Sequence, residues 1–224
     1  MDLVKACKCK DTEKALGLIM NNDTNLSNVD SHGRTALILA CENKMTEVVL
    51  ELIKMDMPNL GQDDEFGRTA LIFACSNKMK EVALKLIKMD MPNVGQVDDF
   101  SYTALIWACF NQMTKVALEL IKTGYANPDH IDKDGDTALV IACKYEMEKV
   151  ALELIKTGKS NPDHIDKDGY TALSRAREKG MKEVAYELVS IGTFTINDLM
   201  LLKPGWVPEE FLIMNPVDVT EVDI

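Results

Sequence analysis

The chain has 224 residues, 46% hydrophobic and 27% charged, which supplies the core of one or two globular domains and excludes a disordered chain. No run approaches the ~18 uninterrupted apolar residues of a membrane-spanning helix, and the opening "MDLVKACKCKDTEK" lacks the apolar core of a secretory signal, so a cytoplasmic protein with no membrane contact is expected. A formal net charge of −11 excludes general affinity for phosphate backbones, which needs a basic stripe, so no nucleic-acid partner is expected.

Residues 1–32 read as a partial copy of a unit that then recurs, because Ala6, Leu18 and Ile19 stand one period before Ala40, Leu52 and Ile53. The first full unit, 33–66, opens on "GRTALILAC" from Gly33 to Cys41. "GRTALIFAC" (Gly67 to Cys75) opens 67–100, "SYTALIWAC" (Ser101 to Cys109) opens 101–134, and "GDTALVIAC" (Gly135 to Cys143) opens 135–168. A trailing copy fills 169–200. Thr35, Thr69, Thr103, Thr137 and Thr171 keep a step of 34 residues, as do Asn25, Asn59, Asn93, Asn127 and Asn161.

Each unit carries two apolar patterns of helical period. In 33–66 these are "TALILACEN", with Leu37, Ile38, Ala40 and Cys41, and "TEVVLELIK", with Val48, Val49, Leu52 and Ile53. Thr35 suits an N-cap, and the Pro, Asn and Gly of "MDMPNLGQDDEFG" end the second helix and reverse the chain. Isolated helices below roughly 12 residues are marginal in water, so stacking of copies must stabilise the unit. A tetratricopeptide unit has the same length but joins near-equal helices by short turns, with a Trp, Tyr and Pro pattern that is not matched here.

The run "DSHGRTALILACENKMTEVVLELI", Asp30 to Ile53, resembles the ankyrin repeat, whose signature is Asp, Gly, Thr-Pro-Leu-His-x-Ala, then Val-x-x-Leu-Leu; the likeness covers residues 1–200. The resemblance implies an all-α ankyrin-repeat solenoid of about six stacked 34-residue repeats, helix-turn-helix units joined by β-hairpin loops. Residues 1–32 and 169–200 would cap it, and 201–224 would be an acidic segment outside the stack. It further implies a non-enzymatic scaffold that binds another protein through its concave hairpin and first-helix surface. Ala in place of the Pro, and the "NPDHIDKDG" loops, are similar in wording to ankyrin proteins of large DNA viruses, which would place the partner in a host cytoplasm.

The departures from the signature have physical readings. Ala36, Ala70, Ala104, Ala138 and Ala172 replace the Pro, and Ile38, Ile72, Ile106 and Val140 replace the His. Lys44, Lys78, Gln112 and Glu146 fall where a left-handed Gly usually turns the chain, and only Gly180 conforms. Each non-Gly residue there costs on the order of 1 kcal/mol, so modest stability is expected.

Several features imitate chemistry. Cys7, Cys41, Cys75, Cys109 and Cys143 form a ladder, with Cys9 outside it. Stacked helices lie roughly 8–10 Å apart, beyond the roughly 4.4–6.8 Å Cα separation of a disulfide, so free core thiols are expected. No paired Cys or Cys/His spacing suggests zinc, and free thiols suit a reducing compartment. Met45, Met79, Met113, Met147 and Met181 form a second ladder, read as core filler. "TGKS" at Thr157–Ser160 lacks the first Gly of a phosphate loop, having Glu153 there. "HIDKDG" at His130–Gly135 mimics a calcium loop but has Ile141 where a bidentate Glu is needed, and the copy at His164 has Arg175. No nucleophile and base set is assembled, so no catalytic residue, metal or cofactor is expected.

Function should lie where the copies differ. Phe66, Arg68, Phe100, Tyr102, Phe110, Tyr145 and Tyr170 are the candidate partner-binding residues, aromatics with a cation inside an acidic rim; the alternative is that these aromatics only cover loop surface. Trp107 replaces Leu39 and is expected to be buried. At the end of the array, Ser174, Arg175 and Arg177 should make the outer face of a terminal repeat polar. In 201–224, Trp206 and Phe211 are expected to pack back on the last repeat. "WVPEEFLIM" faintly resembles the opening of an F-box, so the alternatives are a substrate adaptor recruiting a ubiquitin ligase, or a structural component of a viral particle. A monomer is expected in isolation.

Overall fold

The computed structural model describes residues 2–21, 25–55, 60–89 and 93–191. Asn59 of the Asn ladder, the end of the terminal copy at 192–200, and the segment 201–224 with Trp206, Phe211 and the F-box-like run lie outside the described residues.

Twelve helices are described, two per copy: α1 (Leu3–Lys8) and α2 (Thr12–Met20), α3 (Ala36–Glu42) and α4 (Thr46–Leu52), α5 (Ala70–Ser76) and α6 (Lys80–Lys88). They continue as α7 (Ala104–Phe110) and α8 (Thr114–Lys122), α9 (Ala138–Lys144) and α10 (Glu148–Lys156), α11 (Ala172–Glu178) and α12 (Lys182–Ser190). First helices pack on first helices and second on second, giving the two layers of a helical solenoid, as the resemblance implies.

Capping explains where the helices begin and end. Thr35 Oγ1 accepts from the Ile38 amide at 3.2 Å, and Thr69, Thr103, Thr137 and Thr171 repeat the bond. Each first helix ends in a Schellman closure: the Met45 amide reaches Ala40 O at 2.8 Å and the Lys44 amide reaches Cys41 O at 3.2 Å. That geometry forces a left-handed residue, and Lys44, Lys78, Gln112 and Glu146 have φ of 57°, 60°, 52° and 56°, as the spacing predicts. Lys10, at 60°, extends the turn into the leading copy.

A buried Asp holds each hairpin. Oδ1 of Asp64 accepts from the Phe66 and Arg68 amides, both at 3.0 Å, and Asp30, Asp98, Asp132 and Asp166 do the same one period apart. Three hairpins carry an isolated antiparallel bridge, such as Asp63 with Thr69. Gly67, at φ +70°, is required twice over, since a Cβ there would meet the Val97 carbonyl oxygen at 3.0 Å.

The core runs unbroken between the layers. All five ladder cysteines and all five ladder methionines are buried, whereas Cys9 is exposed, and the six thiols are free. Polar bonds register neighbouring copies. The Asn77 amide donates to Cys41 O and Glu42 O, and Asn111 donates to Cys75 O and Ser76 O. His130 Nε2 meets Ser101 O at 3.1 Å and His164 Nε2 meets Gly135 O at 2.7 Å, which gives these histidines a structural task.

Candidate functional site

The concave face is built by the hairpin tips and the exposed sides of the first helices. Phe66 and Phe100 stand on successive tips, 37% and 45% exposed, with ring centroids 6.5 Å apart. The Arg68 guanidinium is held by Asp64 Oδ2 at 2.6 Å and lies 4.8 Å from both the Phe66 and the Phe73 ring centroids. Tyr102 stacks on Trp107 at 4.8 Å and meets Phe110 edge-on at 6.3 Å; Phe110 continues to Tyr145 at 6.0 Å. The structure thus gathers six of the seven sequence-selected residues into two adjoining aromatic groups. Tyr170 stands apart from them, with the Arg175 guanidinium 3.6 Å from its ring centroid.

Two expectations are corrected here. Trp107 is half-buried, because at this position the side chain faces the groove; Leu39 and Ile141 are small enough to be covered there and an indole is not. Arg175 occupies the same position in its copy. It is 8% exposed and paired with Asp166 at 3.1 Å, so it belongs to the concave face instead of making an outer face polar.

Between α5 and α7 a groove of about 480 Å³ opens, walled by Phe73, Phe100, Tyr102 and Trp107, with Arg68, Asp98 and Lys133 as its charged lining. Sequence reasoning missed Phe73 and Asp98. The signal for Asp98 was available, since Asp30, Asp64, Asp98, Asp132 and Asp166 keep the step of 34. Lys133 lies with Nζ 4.2 Å from the Phe100 ring centroid.

The electrostatics differ between the ends and the middle of the face. At Asp30, burial is outweighed by Arg34, at 2.7 Å, and by two amide bonds, so the carboxyl lies well below its ordinary range. At Asp166, burial is likewise outweighed, by the Tyr170 amide and Arg175. In the middle the balance reverses. Burial raises Asp98 despite the Tyr102 and Phe100 amides and the charges of Arg68 and Lys133. Burial also raises Asp132, with Asp134 adding to the effect, and raises Asp136 against Lys144 at 3.7 Å. Asp132 and Asp136 are 5% and 3% exposed, and each holds one carboxylate oxygen, Oδ2 and Oδ1 respectively, without a hydrogen-bond partner.

Elsewhere the fold accounts for the look-alike motifs. "TGKS" follows the C-terminus of α10, with Thr157 as C-cap, whereas a phosphate loop needs a helix N-terminus. In "HIDKDG", Asp132 Oδ1 is spent on the hairpin amides. Among the described residues no group of three or more His, Cys, Asp or Glu is placed to hold a metal ion, and no helix is long and apolar enough to cross a membrane.

Comparison with known proteins agrees with this geometry. The family model described as "Ankyrin repeats (3 copies)" matches residues 3–95, 58–128, 86–161 and 105–198. Among solved structures, EF0377, an ankyrin repeat protein, is similar at 22% identity and TM-score 0.63, covering 84% of this chain and 96% of that one. A chain from the complex of Bd0816, a predatory endopeptidase from Bdellovibrio bacteriovorus, with immunity protein Bd3460 is similar at 28% identity and TM-score 0.62, with the same coverages. No curated protein matches in sequence. The helix pairs, capping threonines and clamped hairpins repeated at a step of 34, together with a family match spanning residues 3–198, establish that this chain belongs to the ankyrin repeat family.

Proposed function

We propose that the chain is a non-enzymatic scaffold whose concave face holds a partner protein. One observation carries this reading: the copies diverge at the groove, and there they place half-exposed aromatic rings from neighbouring repeats side by side, from Phe66 through Tyr145. Large rings with a polar tip and a charged rim make the anchors of protein interfaces. The similar chain from a complex of two proteins supports the same use of the fold. Free thiols support a reducing cytoplasm, and the wording of the repeats supports kinship with ankyrin proteins of large DNA viruses, whose partner would be a host protein.

The test uses the partner recovered by proximity labelling of the full chain. Phe66→Ala with Phe100→Ala removes two exposed anchors, and affinity is expected to fall at least about tenfold. Lys122→Ala with Lys156→Ala, on the second helices, should leave it unchanged. If the lysine pair abolishes binding and the phenylalanine pair does not, the partner uses the back of the solenoid.

A further inference from the structure

Five equivalent aspartates clamp the hairpins, and each spends Oδ1 on two backbone amides. The fate of Oδ2 differs. Asp30 receives Arg34 at 2.7 Å, Asp64 receives Arg68 at 2.6 Å, and Asp166 receives Arg175 at 3.1 Å. Asp98 and Asp132, in the middle of the face, receive no guanidinium.

The chain supplies its own guanidinium from two positions, that of Arg34 and Arg68, and that of Arg175. In the copy of Asp98 these positions hold Tyr102 and Trp107. Aromatic rings therefore stand where the cation would otherwise originate. The chain also shows how it seats a guanidinium on this face, with a carboxylate at the edge and a ring against the plane: Arg68 lies 4.8 Å from Phe66 and from Phe73, and Arg175 lies 3.6 Å from Tyr170. Around Asp98 the carboxylate and rings are present and the groove between them is open.

The chain's own cations do not complete this site. Arg68 is committed to Asp64, and among the described ion pairs none joins Lys133 to Asp98. One copy further along, Asp132 Oδ2 and Asp136 Oδ1 are buried without partners, with Lys144 alone on Asp136. The centre of the face thus holds more carboxylate than it balances, which repels an acidic segment and favours a basic one.

Resting on the concave face being the binding surface, we propose that the groove takes an arginine side chain of the partner, its guanidinium set against Asp98 and stacked on the Tyr102, Trp107 and Phe73 rings. Arginine suits the site better than lysine, because its planar fork pairs with a carboxylate edge while its faces stack on rings. Further basic residues of the same segment would be drawn by the unbalanced charge of Asp132 and Asp136, which lie beneath the surface.

The probe is the capped peptide Gly-Ser-Arg-Ser-Gly, titrated into the full chain and followed by amide and Trp indole NMR shifts. Counterparts carry citrulline, Lys or Glu at the centre. The arginine peptide should give saturable shifts at Asp98, Tyr102 and Trp107. The citrulline and Glu peptides should bind at least about tenfold more weakly, and Lys should fall between. Asp98→Asn keeps an oxygen for the two hairpin amides, so the melting temperature should hold while the arginine peptide loses about tenfold in affinity. Tyr102→Arg, the residue of positions 34 and 68, should fill the site from within and abolish binding. Equal binding of the arginine and citrulline peptides, tighter binding of the Glu peptide, no saturable shift, or indifference to both variants would overturn the inference. If the other peptides shift the same groove residues, the concave surface stands and only the arginine preference fails. If every peptide shifts only the second helices, both fail.

Discussion

Asp132 and Asp136 are a buried pair without a guanidinium, and the pH dependence of that defect has a definite sign. Burial raises both carboxyls, so the folded chain binds their protons more tightly than the unfolded chain. Stability from this pair is therefore greatest below the ordinary carboxylate range and is lost as pH rises through the raised values. Asp136→Asn should accordingly be more stable than the parent by about 1 kcal/mol near neutral pH, with the gain vanishing in acid. Urea denaturation at the two pH values checks it; a less stable variant at neutral pH would mean that the Lys144 pair outweighs the burial penalty. Phe100 and Tyr102 make a second comparison at this scale. Phe100 stands on a tip, while Tyr102 packs on Trp107 and the core. Phe100→Ala should cost under about 0.5 kcal/mol and Tyr102→Ala about 1–3, readable as a difference in melting temperature.

The helix pair, the element of this fold, cannot stand alone, and its stability comes from neighbours. The cysteine ladder reports this directly. Burial pushes the Cys7, Cys109 and Cys143 thiols up to about 12, and Cys41 and Cys75 upward as well, which suppresses the reactive thiolate. An alkylating reagent at neutral pH should modify Cys9 quickly and the other five only as the stack opens, with all six reacting in denaturant. Fast modification of two or more thiols, followed by mass spectrometry, would show that the first helices are not closed. The Asn77 and Asn111 bonds to the preceding copy lapse at Tyr145 and Lys179, so the junctions of the array are not equally braced.

At the scale of the whole molecule, a net charge of −11 acts against compactness while the hairpin ion pairs are buried. Salt screens exposed charges and leaves buried pairs largely untouched. Raising ionic strength from low to moderate should therefore raise the melting temperature by a few degrees, as self-repulsion is relieved. A fall instead would mean that exposed pairs such as Lys54 with Glu51 hold the stack together. The same acidic field would draw a basic partner segment toward the groove.

The step of 34, the apolar spacing within each copy and the capping threonines were enough to determine the helix pairs, their stacking and the left-handed turns at Lys44, Lys78, Gln112 and Glu146, because each of these is set within a few residues of chain. The aromatic candidates were legible by comparing copies. What side chains do across copies was not. Trp107 and Arg175 occupy a position that is core in one repeat and groove wall in another, and only the size of the side chain against its stacked neighbours decides which. Likewise Asp98 reads the same as Asp64 in the sequence. That one carboxylate is neutralised and the other open follows from the residue four places on, Arg68 or Tyr102, but the groove at Asp98 is completed by Phe73 of the preceding copy and Lys133 of the next, which only the stacking of copies brings together.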